Sequence, residues 1–329
     1  MSIIHVLILL FLWVTTSLIT IKNIENYYKM QKPMKKRNER IMVCTIVLVC
    51  LLFRWVISSY IIYVLICNTI WFICHLFIKN KYLDKTFYLT FIIPIIIVIL
   101  GIINVSNITT TTYNLTNKDL SSSTTLGFIS DIHLSTLTNK KLNKLIETVS
   151  ARNYDVFIIG GDLIDEFSKE ERVLEVINKL GTITTKYGIY YIEGNHDLLT
   201  EKHKDTFLNA GIITLLDNKV LINNNYYLVG RRDLKDKSRA PLNSLIYGLD
   251  KQIILLDHQP NIEKNLDPRI IIQLSGHTHA GQLWPLNYFV KYGYYKQNRL
   301  IVSSGLGAWH NPVRTSKHSE IVEVNISNT

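Results

Sequence analysis

The sequence predicts an α/β protein in two parts, an N-terminal transmembrane region of four helices and a C-terminal layered α/β domain. Two observations predict this division. The first third of the 329 residues holds long apolar runs separated by short basic loops, and the remainder holds short apolar runs that end in Gly, Asp, Asn or His. All four cysteines lie in the first third, so the second part has neither disulfides nor thiolate metal ligands available to it.

Four membrane-spanning helices are predicted within residues 1–104. A membrane core about 30 Å thick needs roughly 20 apolar residues in a helix, and two apolar runs have about that length. A third run, 41–78, is about twice as long and is interrupted only by Arg54, so we divide it at a turn near 58–60. The predicted helices are 3–20, 41–58, 60–78 and 86–103. A cleaved signal peptide is the alternative for the first helix, but no Lys or Arg precedes it.

The basic residues predict the orientation of these helices. The loop 22–40 carries seven Lys and Arg and the loop 79–85 carries three, whereas 105–117 has none. Basic loops tend to face the cytoplasm, so we expect a multi-pass protein of the cell membrane with its C-terminal domain on the outer face. Up to residue 104, eleven Lys and Arg stand against three acidic residues, which accounts for +8 of the net charge of +10. The remainder is near neutral, which disfavours a nucleic-acid partner.

The composition after the last apolar run predicts a linker at 105–125, rich in Ser, Thr and Asn, and a domain at 126–329. Within the domain, short apolar strands alternate with helix-like stretches, an order that predicts parallel strand pairing. The predicted strands are 126–130, 156–159 and 189–192, and the helices between them are 139–150 and 169–180. Five later apolar runs with less helix between them predict a second, largely antiparallel set of strands.

Four polar clusters follow predicted strands, at the ends where the working residues of parallel sheets collect. They are Asp131-Ile132-His133, Gly160-Gly161-Asp162-Leu163-Ile164-Asp165, Gly194-Asn195-His196-Asp197 and Gly276-His277-Thr278-His279. Residues two apart on an extended segment point the same way, so a pair of them can converge on one cation or on two neighbouring ones. Each cluster alone also fits a polar turn or a helix cap. Together they offer oxygen and imidazole ligands without thiolate, which suits Mn, Fe or Zn.

As an ordered set, these clusters resemble the calcineurin-like metallophosphoesterases, whose pattern is D-x-H, G-D-x-x-D, G-N-H-[DE], H and G-H-x-H. The resemblance covers about 126–329, and with its N-terminal helices the chain is similar to the membrane-anchored bacterial branch of that family. It implies a layered sandwich of two β-sheets flanked by helices, and two divalent metal ions of which manganese is one candidate. The ligands it implies are Asp131, His133, Asp162 and His279 for one ion, and Asp162, Asn195, His258 and His277 for the other.

The resemblance also implies catalytic roles. A hydroxide that bridges the two ions would attack phosphorus, His196 would protonate the leaving oxygen, and Asp197 would orient His196 and favour its protonated form. The stretch 303–307 reads Ser-Ser-Gly-Leu-Gly where members of the family often have an arginine in second place. The candidates to replace that arginine as a phosphate contact, each of them equally open to a solvated surface role, are Arg231, Arg232 and Arg314.

These features predict a membrane-tethered hydrolase of a phosphoester or pyrophosphate bond in a lipid or envelope-associated substrate, with no protein partner inferred. A group of large apolar residues after the last motif predicts either an apolar lip beside the site or packing in the core or in a loop. These residues are Trp284, Leu286, Tyr288 and Phe289. The alternatives are a nucleotide or nucleic-acid phosphodiesterase, disfavoured by the near-neutral domain, and a catalytically silent membrane sensor or scaffold, disfavoured by the complete ligand set.

Overall fold

The computed structural model describes residues 54–78, 86–263 and 266–329. The chain divides into two compact units, Met1–Gly101 and Ile102–Thr329. The predicted helix 3–20, the basic loop 22–40 and most of the predicted helix 41–58 lie outside the described residues.

Two long helices are described in the first third of the chain, α1 (Arg54–Phe77) and α2 (Leu89–Ser106). Both are long and apolar enough to cross a membrane, judged by length and composition. The helix α1 runs without a break through 58–60, so the turn predicted there is wrong. No Gly or Pro occurs at these positions to end a helix, and continuous backbone pairing satisfies every amide in the middle of an apolar segment.

The second unit alternates strands and helices in its first half and is mostly strands in its second half. In chain order its elements are β1 (Ile108–Thr116), β2 (Thr124–Ile129), α3 (Asn139–Ser150), β3 (Val156–Ile159), α4 (Glu170–Leu180), β4 (Ile189–Tyr191), α5 (Glu201–Asn209), β5 (Ile212–Thr214), β6 (Asn218–Ile222), β7 (Tyr226–Gly230), α6 (Leu242–Ile246), β8 (Gln252–Leu256), β9 (Ile270–Ser275), β10 (Gly293–Tyr295), β11 (Leu300–Val302) and β12 (Ser319–Ser327). Short 3-10 turns add Leu134–Thr136, His279–Gly281, Leu286–Phe289 and Lys296–Asn298.

The strands form two six-stranded sheets, as the predicted layered α/β fold requires. The first sheet has the order β1-β12-β2-β3-β4-β5, and β2 to β5 run parallel. The second has the order β10-β11-β9-β8-β7-β6. Its strands β7, β8, β9 and β11 are also parallel, so the prediction of a largely antiparallel second set is wrong. Loops and the short helix α6 connect these strands, and such connections leave no helical periodicity in the sequence.

Two apolar layers form the core, one on each face of the first sheet. Phe157 and Ile159 of β3 pack on the side of α3 and α4, whereas Val156 and Ile158 face the second sheet. This alternation follows from the two-residue period of a strand. A smaller cluster that includes Leu255 covers the outer face of the second sheet beneath α6.

Part of the predicted linker belongs to the first sheet. Residues 108–116 form β1, which pairs in parallel with β12 from Ile108↔Ser319 to Thr116↔Ser327. The linker prediction is therefore wrong for these residues. The strand is rich in Thr, whose β-branched side chain favours strands, but it lacks the apolar alternation by which an edge strand is recognised.

Candidate metal centre

The seven residues predicted to bind metal all follow strands, at the carboxyl ends of the two parallel sets. They are Asp131 and His133 after β2, Asp162 after β3, Asn195 after β4, His258 after β8, and His277 and His279 after β9. The carboxyl ends of parallel strands lie at one edge of a sheet. Each sheet therefore brings its polar loops together at one edge, and six of the seven residues form two groups of neighbouring side chains.

The backbone at this edge is strained. Five of the seven residues have a positive φ, namely Asp131 (53°), His133 (46°), Asp162 (51°), His277 (71°) and His279 (50°). For residues with a Cβ such conformations cost about 1–3 kcal/mol each and cluster at functional sites. Hydrogen bonds hold them in place, because the amide of Asp131 donates to the Gly161 carbonyl (2.9 Å) and that of His133 to the Asp162 carbonyl (3.1 Å).

Two motif glycines allow the loops to approach the carboxylates closely. A Cβ on Gly276 would lie 2.3 Å from Oδ2 of Asp131, and a Cβ on Gly194 would lie 2.2 Å from Oδ1 of Asp162. Both distances are far below a van der Waals contact. The glycines of the predicted motifs are thus required by the closeness of the backbone to the acidic side chains.

The first group consists of Asp131, His133 and His279, all buried. The Nε2 atoms of the two histidines lie 3.1 Å apart, and Nε2 of His279 lies 3.4 Å from Oδ1 of Asp131. Two ligands that are each about 2.1 Å from one ion lie roughly 3–3.5 Å apart. The spacing of the three donor atoms is therefore that of ligands around a common cation.

The second group consists of Asp162, His258 and His277. Nε2 of His258 lies 3.2 Å from Oδ2 of Asp162. Nδ1 of His258 lies 2.8 Å from the carbonyl oxygen of Gly160, and since a carbonyl only accepts, Nδ1 carries a proton and donates. With Nδ1 fixed in this way, Nε2 is the ring nitrogen that faces Asp162, and an outer hydrogen bond of this kind is typical of histidines that bind metals.

Asp162 connects the two groups. Its Oδ2 is 3.2 Å from Nε2 of His258 and 3.9 Å from Nε2 of His133, one histidine from each group. Its Oδ1 accepts a hydrogen bond from the amide of His196 (2.8 Å), which fixes the orientation of the carboxylate.

The donor set fits divalent cations. Oδ1 of Asn195 is buried and has no hydrogen-bond partner among the described residues. Buried polar atoms are almost always paired in native proteins, so this oxygen points to a ligand. Carboxylate, amide and imidazole donors without thiolate suit borderline or hard ions.

Burial and charge set the protonation of the histidines. Burial lowers the pKa of His133 to about 4 and that of His279 far below its ordinary value, so both rings are neutral and have a free lone pair. Burial alone would also lower the pKa of His258, but the Asp162 carboxylate raises it to about 10. A cation beside Asp162 would therefore compete with a proton on His258.

His196 is placed beside the first group, but its partner is not the one predicted. Its ring lies 5.5 Å from that of His133, and its Nδ1 lies 2.7 Å from Oε1 of Glu166. The carboxylate of Asp197 is buried and accepts from three backbone amides, those of Asp162 (2.7 Å), Ile164 (2.8 Å) and Gly194 (2.8 Å). The prediction that Asp197 orients His196 is therefore wrong, because backbone amides already use both of its oxygens.

Each of the three arginines proposed as phosphate contacts has other partners among the described residues. Arg231 pairs with Asp257 (3.3 Å) and Glu263 (3.0 Å), and Arg232 pairs with Asp236 (3.1 Å). The guanidinium of Arg314 is fully buried. It donates to five backbone carbonyls, those of His279, Ser304, Gly305, Gly307 and Lys317. Arg314 thus connects the loop of a candidate ligand to the 303–307 stretch.

The large apolar residues after the last motif are exposed, which excludes core packing for them. The exposed fractions are 43% for Trp284, 46% for Leu286, 74% for Tyr288 and 81% for Phe289. A second aromatic group lies next to His196, whose ring is 5.4 Å from that of Trp309. Exposed apolar surface therefore lies beside His196 and also follows His279 along the chain.

Two residues at the site were missed by sequence reasoning. Glu166 lies 30 positions from His196, and no spacing rule joins them. Asp165 was recognised only as a possible cap, yet its Oδ2 accepts from the amide and hydroxyl of Ser135 and lies 3.8 Å from Nδ1 of His133. The second aspartate of the G-D-x-x-D pattern was the available signal for a role beyond capping.

Comparison with known proteins gives the same family as the sequence motifs. Residues 124–281 match the family model of the calcineurin-like phosphoesterases. The chain is 34% identical over 212 residues to an uncharacterised metallophosphoesterase of Helicobacter pylori, a match that covers 59% of this chain and 57% of that protein. It is 31% identical over 229 residues to a Danio rerio transmembrane protein with metallophosphoesterase domain, covering 60% and 52%. It is 30% identical over 214 residues to the uncharacterised protein YpbG of Bacillus subtilis, covering 60% and 78%.

The fold, the two candidate metal groups and these similarities define the class of protein. The chain belongs to the calcineurin-like phosphoesterase family. The family and its enzyme class, metal-dependent hydrolases of phosphoesters, are those predicted from the motifs. The chain spans little more than half the length of the Helicobacter and Danio relatives. The Danio relative and the two apolar helices α1 and α2 suggest association with a membrane.

Proposed function

We propose that this chain is a membrane-tethered hydrolase of phosphoester bonds that works with two divalent metal ions. The observation that carries the proposal is the position of Asp162, whose Oδ2 lies 3.2 Å from Nε2 of His258 and 3.9 Å from Nε2 of His133. One carboxylate that faces both groups would neutralise two cations held side by side, the arrangement of two-metal hydrolases.

The proposed ligands follow from the two groups and from the unpaired amide oxygen. One ion would be held by Asp131, His133, Asp162 and His279, and the other by Asp162, Asn195, His258 and His277. The donor atoms favour Mn, Fe or Zn over softer ions.

Two ions bound there would supply an activated water and withdraw charge from the phosphoryl oxygens. The chain itself provides the proton for the leaving group. Nδ1 of His196 is occupied by Glu166 at 2.7 Å, so Nε2 is the atom that holds a proton for the leaving oxygen. Asp197 contributes by fixing the backbone amides of Asp162 and Gly194.

For the substrate we propose a lipid or envelope-associated molecule with a phosphoester or pyrophosphate bond, reached by a multi-pass protein whose domain is on the outer face. Three observations support this. Two apolar helices precede the domain, exposed apolar side chains such as Tyr288 and Phe289 follow the last motif, and basic loops predict the orientation. The near-neutral charge after residue 104 gives no basic groove for a nucleic acid.

The proposal is tested with the full chain purified in detergent with added Mn. Turnover is measured on phospholipids, lipid-linked pyrophosphates, nucleotides and aryl phosphates, and bound metal by elemental analysis. We expect Mn-dependent turnover of a lipid substrate, lost together with bound metal in Asp162→Asn. The control Asp205→Asn changes an exposed carboxylate of α5 and retains both properties.

Three outcomes would contradict the proposal. Retention of metal and turnover in Asp162→Asn would show that Asp162 is not a shared metal ligand. Selective turnover of nucleotides would show that the substrate is a nucleotide and not a lipid. Full metal binding without turnover of any compound in the panel would favour a sensor or scaffold.

A further inference from the structure

An exposed apolar segment follows the last metal-site motif. Within residues 286–290, here called the apolar tip, four apolar side chains are exposed: Leu286 (46%), Tyr288 (74%), Phe289 (81%) and Val290 (37%). Single exposed apolar residues are ordinary, but a contiguous group of them marks an interaction surface.

The apolar tip is fixed to the candidate metal site. It begins with the 3-10 turn Leu286–Phe289, whose backbone packs on Gly281. A Cβ on Gly281 would lie 2.5 Å from the amide nitrogen of Asn287, so the two segments are in direct contact. Gly281 is two residues after His279, and the position of the tip is therefore set by the same turn as a candidate ligand.

The base of the tip also adjoins the end of α2. Nδ2 of Asn104, in the last turn of α2, donates to the carbonyl of Arg314 (3.2 Å). The next residue, Thr315, donates its amide hydrogen to Gln282 (2.9 Å) and accepts with its hydroxyl from the amide of Trp284 (2.9 Å). The loop around Thr315 thus connects the end of an apolar helix to the base of the tip.

The charge around the tip is positive. Between Gly281 and His318 the chain has five Lys and Arg and no Asp or Glu. Lys291, Lys296 and Lys317 among them are exposed. Exposed aromatic and aliphatic side chains with lysines at their border are typical of surfaces that enter the interface of a bilayer, where lysines meet the lipid phosphates.

We propose that the apolar tip inserts into the membrane interface beside the end of α2 and docks the domain on the lipid surface. The occupant of this surface is the bilayer in which α2 is proposed to lie. The inference uses the membrane tether of the proposed function but not its hydrolytic chemistry. It places the candidate metal site next to the headgroup layer.

The test uses the full chain with its four cysteines replaced by alanine, in vesicles of phosphatidylcholine and phosphatidylglycerol. A spin label is attached at Phe289→Cys or, as the matched control, at Tyr247→Cys, since the two native side chains are 81% and 84% exposed. Electron paramagnetic resonance then measures how accessible each label is to oxygen, which enters lipid, and to a nickel chelate, which stays in water. We expect a several-fold higher ratio of oxygen to nickel accessibility at 289 than at 247.

Three results would overturn the proposal. If the labels at 289 and 247 were equally accessible to the nickel chelate, as in water, the tip would lie in solvent. Dipolar broadening between labels at 289 would identify a second copy as the occupant, and a label shielded from both reagents would identify another segment of the chain. Hydrolysis is not measured, so failure of this inference is distinguishable from failure of the proposed activity.

A second measurement needs no cysteine replacement. Vesicles that contain a phospholipid with a photoactivatable group near its headgroup are irradiated with the unmodified chain, and the labelled residues are identified by mass spectrometry. We expect labelling within 286–290 and none at Tyr247. Labelling confined to the apolar helices would overturn the proposal.

Discussion

Nδ1 of His196 lies 2.7 Å from Oε1 of Glu166, and the adjacent Asp197 makes no contribution to that contact. The oxygens of Asp197 are instead used by the amides of Asp162, Ile164 and Gly194. Two neighbouring residues of one motif therefore have separate tasks. His196 faces the candidate metal groups, and Asp197 holds the loops that carry the ligands.

Glu166→Gln tests the orientation of His196. Glutamine preserves the shape but removes the carboxylate that holds Nδ1 of His196, so kcat on alkyl phosphoesters should fall roughly 10- to 100-fold, a part of what a positioned acid supplies. Aryl phosphates with good leaving groups should be little affected, and bound metal unchanged. Glu171→Gln, at an exposed position of α4, is the control. An equal loss on alkyl and aryl substrates would rule out this role for Glu166.

Asp197→Asn tests the structural role of the buried carboxylate. The new amide group sets a donor against backbone N–H donors, so the free energy of unfolding should fall by about 3 kcal/mol. Bound metal should fall as well, because the Asp162 and Asn195 loops lose their anchor. Thermal unfolding and elemental analysis measure both effects, with Asp205→Asn as the control. An unchanged unfolding midpoint together with lost turnover would instead support Asp197 as a direct partner in catalysis.

Lys141 makes stability depend on pH. Its ammonium group is buried against the Leu306 carbonyl (2.5 Å) and the Ser319 hydroxyl (2.7 Å). Burial, assisted by Arg314, lowers its pKa to about 7, whereas an unfolded lysine has a pKa of about 10.4. Between these values the unfolded chain binds a proton that the native chain lacks, so the free energy of unfolding rises with pH, by up to about 1.4 kcal/mol per unit.

The measurement is the unfolding midpoint of the wild-type chain and of Lys141→Met from about pH 7 to 10. The wild type should gain stability relative to the variant across this range. Above the unfolded pKa the lysine is neutral in both states, so the gain in the free energy of unfolding is complete there. This gain is lost as the pH falls from the unfolded pKa through the folded pKa, below which both states are protonated. Lys140→Met, at an exposed neighbouring position, should follow the wild type. Parallel curves for the wild type and Lys141→Met would show that the burial of Lys141 has no such effect.

The first sheet and the polar residues at its edge were predictable because the signals are local. Asp131 and Asp162 directly follow buried strands. The backbone of the neighbouring motifs approaches their carboxylates so closely that only glycine fits there. The order of the motifs along the chain then identified His258. The number of residues between the motifs does not determine which of their side chains meet. The residue types and the order of the motifs along the chain restrict the possible contacts strongly.

The features that the sequence did not predict depend on long-range contacts. Glu166 reaches His196 across 30 positions, and Arg314 is buried among carbonyls although its charge favours the surface. The direction of β7, β8 and β9 depends on loop crossovers without helical periodicity. The strand β1 depends on pairing with β12 more than 200 positions away.

We propose that two metal ions share the carboxylate of Asp162. Anomalous X-ray scattering from crystals of the full chain grown with Mn would locate both ions. We expect two anomalous peaks about 3.5–4 Å apart, both in contact with Asp162, one between His133 and His279 and one between His258 and His277. A single peak, or two peaks of which only one contacts Asp162, would show that Asp162 is not shared by two ions.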